Sequence, residues 1–342
     1  MIEGILIEGL VYGVMVLGVF ITFRVLSFAD MTVDGSFPMG SAVMVVTLLK
    51  GFPAPASLFF AFAAGGAAGL VTSLIHTRLK VPDLLSGILT MTMLYSVNLR
   101  IMSNRANISL LRFDTFFSRI TEWTGPSLGG LWGVVIFCAL FTLAVKAALD
   151  LFFHTDYGLS MGALGANPQL VISQGMNPDI IKISGICLAN GLAASAGALT
   201  SLYQGFADVS LGTGIIVSGL ASLMLGELII KSNRIVMQTL RVLIGSVIYR
   251  GLMYLARDYG YHIRMTPNDF KLITGLLIIF CIVVSNNRLF APKRRRARPD
   301  RNSGPGKTGE SPAPYTSGGP GLSKKDPGSP KKDPGSPKGD PS

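Results

Sequence analysis

The chain alternates between long apolar segments and short polar breaks, a pattern typical of a protein that crosses a membrane many times. The segments are long enough, and sufficiently free of charge, to form buried or membrane-spanning helices. They are residues 5–23, 30–49, 56–75, 84–99, 131–149, 180–203, 212–230, 235–256 and 272–284. The pattern predicts an all-α, polytopic membrane protein with about nine transmembrane or re-entrant helices.

The first informative break covers residues 24–40, where Asp30, Asp34, Gly35 and Pro38 interrupt the apolar sequence. Irregular backbone at membrane depth is tolerated only where protein or a water-filled cavity surrounds it. We therefore expect a re-entrant or broken helix inside the bundle, with Asp30, Asp34 and Gly35 in a pathway or structural role. The alternative is an ordinary loop between the first two spans.

The segment 180–203 is dense in small residues. Gly191, Ala194, Gly197 and Ala198 recur at spacings of three and four, so they form one helix face that neighbouring helices can approach closely. This helix is predicted at the centre of the bundle.

One polar stretch and one single acidic residue outside the first break call for separate interpretations. Residues 104–126 interleave aromatic residues with arginines, which favours an amphipathic helix in the membrane interface over a nucleic-acid contact. Glu227 lies near the end of its span, four residues before Lys231, the spacing of a helical ion pair. Contact with the polar segment 157–179 is the alternative role for Glu227.

Composition agrees with the pattern and separates the tail from the rest. Of the 342 residues, 49% are hydrophobic and 14% charged, which excludes an ordinary soluble enzyme. From residue 291 the chain is rich in proline, glycine, serine and lysine, and it repeats KKDPGSP. We expect a membrane domain at 1–290 and a disordered tail at 291–342 that solubilises the chain without a specific function. Contact of its arginine cluster with anionic membrane lipid is the alternative.

Catalytic and metal-binding patterns are absent from the sequence. The three histidines and three cysteines show no ligand spacing, and there is no phosphate-binding GxxxxGK[ST] loop. We therefore expect no catalytic residue, metal or cofactor on this chain. Any energy from ATP has to come through a partner.

Residues 157–179, YGLSMGALGANPQLVISQGMNPD, form the long polar interruption between two apolar segments. Asn167-Pro168 and Asn177-Pro178 each mark a turn or a helix start, because proline restricts the residue before it. Residues 169–176 then have room for about two helical turns. A short helix across the membrane face, between two corners, is predicted.

This segment resembles the coupling segment of ABC importer permeases of the branched-chain amino-acid and ribose type. DMTVDGSFPMGSAV at 30–43, SGLASLMLGELI at 218–229 and GSVIYRGL at 245–252 are similar to the tryptophan/tyrosine-type permeases among them, and so is PNDFKLITGLLI at 267–278. Many members carry arginine or another large residue where this chain has Gly162.

The resemblance implies a permease subunit of an ABC importer, not an enzyme, with an amino acid as the candidate substrate. Its implied partners are an ABC ATPase subunit, an extracytoplasmic solute-binding protein and a second permease copy. The residues implied in ATPase coupling are Gly158, Ala163, Leu164, Gly165, Asn167, Pro168, Gly175, Asn177 and Pro178.

Orientation follows from the basic cluster at residues 293–296, directly after the last apolar segment. Positive charge favours the cytoplasmic side, so we expect a cytoplasmic C-terminus and an outside N-terminus in a bacterial plasma (inner) membrane. A self-sufficient secondary transporter or channel is the alternative. For that class, Asp30, Asp34 and Glu227 are the acidic candidates for ion coupling.

Overall fold

The computed structural model describes residues 2–110, 116–128, 131–230, 232, 234–262 and 269–286. The predicted tail at 291–342 lies outside these residues. Within them the α-helices are α1 (Ile2–Val19), α2 (Val33–Leu49), α3 (Ala54–Leu79), α4 (Asp83–Ile101), α5 (Phe116–Leu128), α6 (Leu131–His154), α7 (Asp156–Ala166), α8 (Pro168–Ser173), α9 (Pro178–Gln204), α10 (Ile215–Ile229), α11 (Ile235–His262) and α12 (Asp269–Asn286). Strands β1 (Asn107–Ser109) and β2 (Phe206–Asp208) form an antiparallel pair.

Each of the nine predicted segments coincides with a helix, which confirms the all-α membrane architecture. In the described part of the chain, seven helical segments are long and apolar enough to cross a membrane. The other two predicted segments form α2, with 17 residues, and α12, with 18 residues.

Helix α9 lies at the centre of the bundle, as its small residues predicted, and packs against α1, α2 and α3. The backbones of α9 and its neighbouring helices are so close that no side chain fits at several positions. A Cβ atom on Gly40 of α2 would overlap the carbonyl group of Ala194. Likewise, a Cβ atom on Gly197 would overlap the carbonyl oxygen of Phe37. Glycine therefore sets the α2–α9 distance, and van der Waals packing of the two backbones holds it.

The predicted break between the first two spans is present and lies inside the protein. Helix α1 continues into a π-helical turn at Phe20–Val25, after which residues 26–32 are irregular until α2 begins. Asp30, in this break, is fully buried. The sequence prediction was wrong at its other end, because Asp34, Gly35 and Pro38 lie within α2. Pro38 lies in the second turn of α2, where it removes the N–H that would bond the Asp34 carbonyl.

Residues 104–126 contain more than the predicted interfacial helix. Strand β1 pairs with β2, which directly follows α9, and α5 begins at Phe116. Partial burial of Asp208 raises its pKa, but hydrogen bonds from the Ser210 backbone N–H and the Asn107 amide outweigh that effect. The pKa of Asp208 is therefore held below its usual value, and its carboxylate joins the two strands.

Candidate functional site

Helices α7 and α8 form a helix-turn-helix between the end of α6 and the start of α9. The Thr155 hydroxyl accepts a hydrogen bond from the Gly158 N–H and starts α7. The side-chain oxygens of Asn167 and Asn177 do the same for α8 and α9. Pro168 and Pro178 occupy the first positions of those helices, where no N–H is needed.

Both predicted corners are therefore confirmed as helix starts, but the segment contains one more helix than predicted. The stretch before Asn167, for which the sequence predicts no helix, forms α7. The predicted short helix at 169–176 is α8, and it ends at Ser173. Gly175 then adopts a φ of +77°, a conformation that favours glycine, and turns the chain towards α9.

One face of this helix pair binds the bundle and the other is open. Leu164 and Val171 are buried and anchor α7 and α8. Leu159, Leu170 and Ile172 are exposed large apolar residues. Residues 157–176 carry no charged side chain. The open face is thus uncharged and presents three large apolar side chains among polar ones, as expected of a surface that binds a protein partner.

The glycines of α7 divide into two groups. Gly158 and Gly165 face the chain itself, since a Cβ atom on Gly165 would overlap the carbonyl oxygen of Val25 and one on Gly158 would overlap that of Phe152. Neither glycine has room for a side chain. Gly162, by contrast, has no atom within 4 Å of the place a Cβ would take. Ala163 is half-buried and packs against the core.

Replacing Gly165 with arginine is expected to detach α7 from the π-helical turn, because even a Cβ atom there would overlap the Val25 carbonyl, a backbone group that no side-chain rotation can move aside. Gly162→Arg is the matched control: it adds the same side chain on the same helix where space is open. We expect a clearly lower midpoint of thermal unfolding and a lower yield of monodisperse protein for Gly165→Arg alone. Equal behaviour of the two variants would contradict this packing.

Helix α7 also borders a cavity of about 500 Å³ beside the π-helical turn. Arg24, Gly162, Gly165 and Gln238 are among its lining residues. The Ser27 hydroxyl donates a hydrogen bond to the Gly165 carbonyl at 3.3 Å and holds the end of α7 against the break. The end of α7 is therefore in direct contact with residues 25–27.

Glu227 binds two arginines from different helical segments. Its Oε1 atom lies 2.9 Å from Arg24 Nε and 3.1 Å from Arg241 Nη2. The predicted partner Lys231 lies outside the described residues, so that pair stays a prediction. Because Arg24 borders the cavity under α7, Glu227 is linked to the predicted coupling segment through a side chain that the sequence did not single out.

The other predicted pathway residues make internal hydrogen bonds. The Asp30 carboxylate accepts from the Thr32 N–H at 2.9 Å and from the Asn190 amide at 2.7 Å. Asp34 accepts from the N–H groups of Gly214 and Ile216 and so caps α10 from a distant part of the chain. The carbonyl of Gly35 accepts from Asn98. All three thus contribute to the packing between helices.

Sequence reasoning did not identify Asn190 or Arg24. Each lies in a stretch that had another clear interpretation, a small-residue face for Asn190 and a helix end for Arg24. An isolated polar residue in an apolar segment was the available signal. Among the described residues, no group of three His, Cys, Asp or Glu side chains is arranged to hold a metal ion.

The bundle of apolar helices around a buried polar break defines a polytopic membrane protein. The chain belongs to the family described as the branched-chain amino acid transport system / permease component, whose model matches residues 1–282. It is thus a permease subunit of the ABC-importer class and not a catalytic enzyme.

Several curated proteins are similar over most of their length. A tyrosine transport system permease protein of Clostridioides difficile is 36% identical over 285 residues, which cover 83% of this chain and 91% of that protein. The ribose import permease protein RbsC of Escherichia coli is 25% identical over 233 residues, covering 67% and 68% of the two chains. The autoinducer 2 import system permease protein LsrC of Yersinia pseudotuberculosis is 24% identical over 271 residues, 79% of this chain and 72% of that protein. No solved structure matches the chain significantly.

Proposed function

We propose that this chain forms the membrane pathway of an ATP-driven importer and that a partner ATPase moves it through α7 and α8. The observation that carries the proposal is the exposed apolar face of Leu159, Leu170 and Ile172 on a helix pair that is fixed at its inner face. A fixed inner face means that a force applied to the outer face moves the bundle.

The route of that motion starts at the contact between Gly165 and Val25. The π-helical turn that contains Val25 leads into the buried break at Asp30, and Asp30 is bonded to Asn190 at the centre of the bundle. Turns of this type are rare and are frequently found at functional sites. We infer that tilting α7 shifts the break and thereby changes the packing of α1, α2 and α9.

The orientation proposed from the basic cluster at 293–296 places α7 and α8 in the cytoplasm. An ATPase has access to its nucleotide only there. The opposite end of the bundle, which carries β1 and β2, then faces the outside, where a solute-binding protein delivers its cargo. The C-terminus is cytoplasmic in this arrangement, and the membrane is the bacterial plasma membrane.

A second copy of the chain and membrane lipid are the proposed occupants of the outer apolar faces. Large apolar side chains are exposed along α4 and α12, including Leu89, Met93, Leu276 and Phe280. Surfaces of this kind are stable only against lipid or another helix. The proposed cargo is an amino acid, supported by the family description and by the tyrosine transport permease that is similar to this chain.

The test combines Leu170→Glu with Ile172→Glu in a permease reconstituted with its ATPase and binding protein. Two carboxylates in an apolar interface have to be desolvated on docking, so ATP hydrolysis stimulated by the loaded binding protein should fall by about tenfold or more. Gln169→Glu is the control, because it adds charge at an exposed polar position of the same helix.

Protein folding is checked for all variants by size-exclusion chromatography and thermal unfolding. Because residues 157–176 are uncharged, docking of the wild type should change little between low and high salt. Normal stimulation in the double variant would show that α8 does not receive the ATPase.

A further inference from the structure

A slot of about 230 Å³ lies between the central helix α9 and helices α2, α3, α5 and α6. Its floor is formed by Met44 of α2 and by Leu199 and Leu202 of α9, which are only 1%, 3% and 4% exposed. The exposed members of its lining are Pro55, at the start of α3, and Phe116, at the start of α5, so the mouth lies between them. The slot thus leads from the outer surface of the bundle to its central helix.

Aromatic rings form the wall of the slot on α5 and α6. The ring centroids of Phe116 and Phe137 are 5.0 Å apart, and those of Phe137 and Phe141 are 6.4 Å apart in a stacked arrangement. Because these rings contact one another, none of them can turn into the slot without losing an aromatic contact. The slot is therefore a product of helix packing and not a gap left by one loose side chain.

The lining of the slot selects the chemistry of its occupant. Every lining residue is apolar, so a polar or charged ligand would lose its hydration without gaining a hydrogen bond. Apolar cavities of about 150 Å³ stay dry and take up hydrocarbon, and this slot is larger. An empty slot also leaves its lining without dispersion contacts on one side. In a protein that spans a membrane, the hydrocarbon at hand is the acyl chain of a lipid.

Two basic residues lie next to the mouth along the chain. Lys50 is in the turn that joins α2 to α3, and Arg119 lies one turn of α5 after Phe116. Both side chains are exposed, and neither takes part in the ion pairs of the described residues. Basic residues at a membrane surface attract anionic headgroups. The charges beside the mouth therefore complement a negatively charged lipid.

We propose that this slot is a binding site for one acyl chain of an anionic phospholipid, whose headgroup phosphate contacts Lys50 and Arg119. Lipid tails are as apolar as leucine, so transfer of a tail from the bilayer gains little by itself. Filling the void and binding the headgroup are what retain this lipid longer than its neighbours. The bound chain contacts Leu199 and Leu202 and so becomes part of the packing around α9. The site is separate from the face on α7 and α8 and goes beyond the proposed import function.

The test uses two photoactivatable lipids, phosphatidylglycerol and phosphatidylcholine, with the same diazirine on one acyl chain. The full-length permease is irradiated in vesicles that contain a small fraction of either lipid, and mass spectrometry identifies the crosslinked residues. Crosslinks to Met44, Leu199 or Leu202 are diagnostic, because lipid outside the slot cannot reach these buried side chains. We expect such crosslinks in the wild type, about fivefold more with phosphatidylglycerol than with phosphatidylcholine.

Ala54→Phe fills the slot, because Ala54 lines it at the start of α3. This variant should lose crosslinks to the floor by about fivefold or more. Ala63→Phe is the matched control, since it adds the same side chain at an exposed position of the same helix and should leave the floor crosslinks unchanged. Crosslinks to Leu140, an exposed residue of α6, should be equal in all variants.

A wild type without crosslinks to the floor would overturn the proposal, and so would equal floor labelling of Ala54→Phe and Ala63→Phe. If Ala54→Phe does not fold, Leu58→Trp carries the same test, because Leu58 also lines the slot.

Combining Lys50→Gln with Arg119→Gln tests the headgroup contact. The preference for phosphatidylglycerol should disappear in this double variant, because both charges beside the mouth are removed. Equal labelling of the wild type by the two lipids would overturn that contact. None of these measurements uses ATP or cargo, so failure of the proposed import function would not change their outcome.

Discussion

Replacing Glu227 with alanine is expected to destabilise the permease by about 3 kcal/mol, the cost of leaving a buried charge without its partner. Arg241 accounts for most of this cost, because its side chain is 8% exposed and its Nε atom has no hydrogen bond. Arg24 contributes little, since its side chain is 57% exposed and water can replace Glu227. Thermal unfolding in detergent measures the loss.

A second substitution distinguishes the cost of an unpaired arginine charge from the cost of lost packing at residue 227. If the uncompensated arginine causes the loss, combining Glu227→Ala with Arg241→Met should recover part of the stability, because methionine fills similar space without a charge. An additive result in the double variant would contradict the charge explanation. Glu227→Gln, which keeps the shape, should also disturb ATP coupling if Arg24 transmits motion from the cavity under α7.

Gly40→Leu is expected to prevent the permease from folding. The first side-chain carbon alone would overlap the carbonyl group of Ala194, and both positions belong to helix backbones. Overpacking of this kind cannot be relieved by rotating a side chain, so α2 would have to move away from α9. We expect little or no monodisperse protein after membrane extraction.

Gly66→Leu is the matched control for that experiment. Gly66 lies on α3, and its nearest contact to an added Cβ is the Cys187 carbonyl oxygen at 3.7 Å, an ordinary contact distance. The same change there should be tolerated, since leucine favours helix more than glycine does. Recovery of folded Gly40→Leu at the level of the control would show that α2 and α9 are not in close contact.

Local patterns were sufficient to predict the nine apolar helices and the starts of α8 and α9. Asn167-Pro168 and Asn177-Pro178 act within a few residues, so their capping role followed from the sequence. The helix before Asn167 was harder to predict, because the glycines of this segment lower its helix propensity. Contact of Gly165 with Val25 supports α7 there, and nothing near Gly165 in the sequence indicates that contact.

The sequence by itself determined the all-α membrane class, the central place of α9 and the burial of Asp30, because apolar periodicity, small-residue spacing and the cost of irregular backbone in lipid are local properties. Only the tertiary structure decided that Glu227 binds Arg24 and Arg241 and that Arg250 lies over Tyr12. The physical reason is that a charge can pair with many distant residues, and helix packing selects among them.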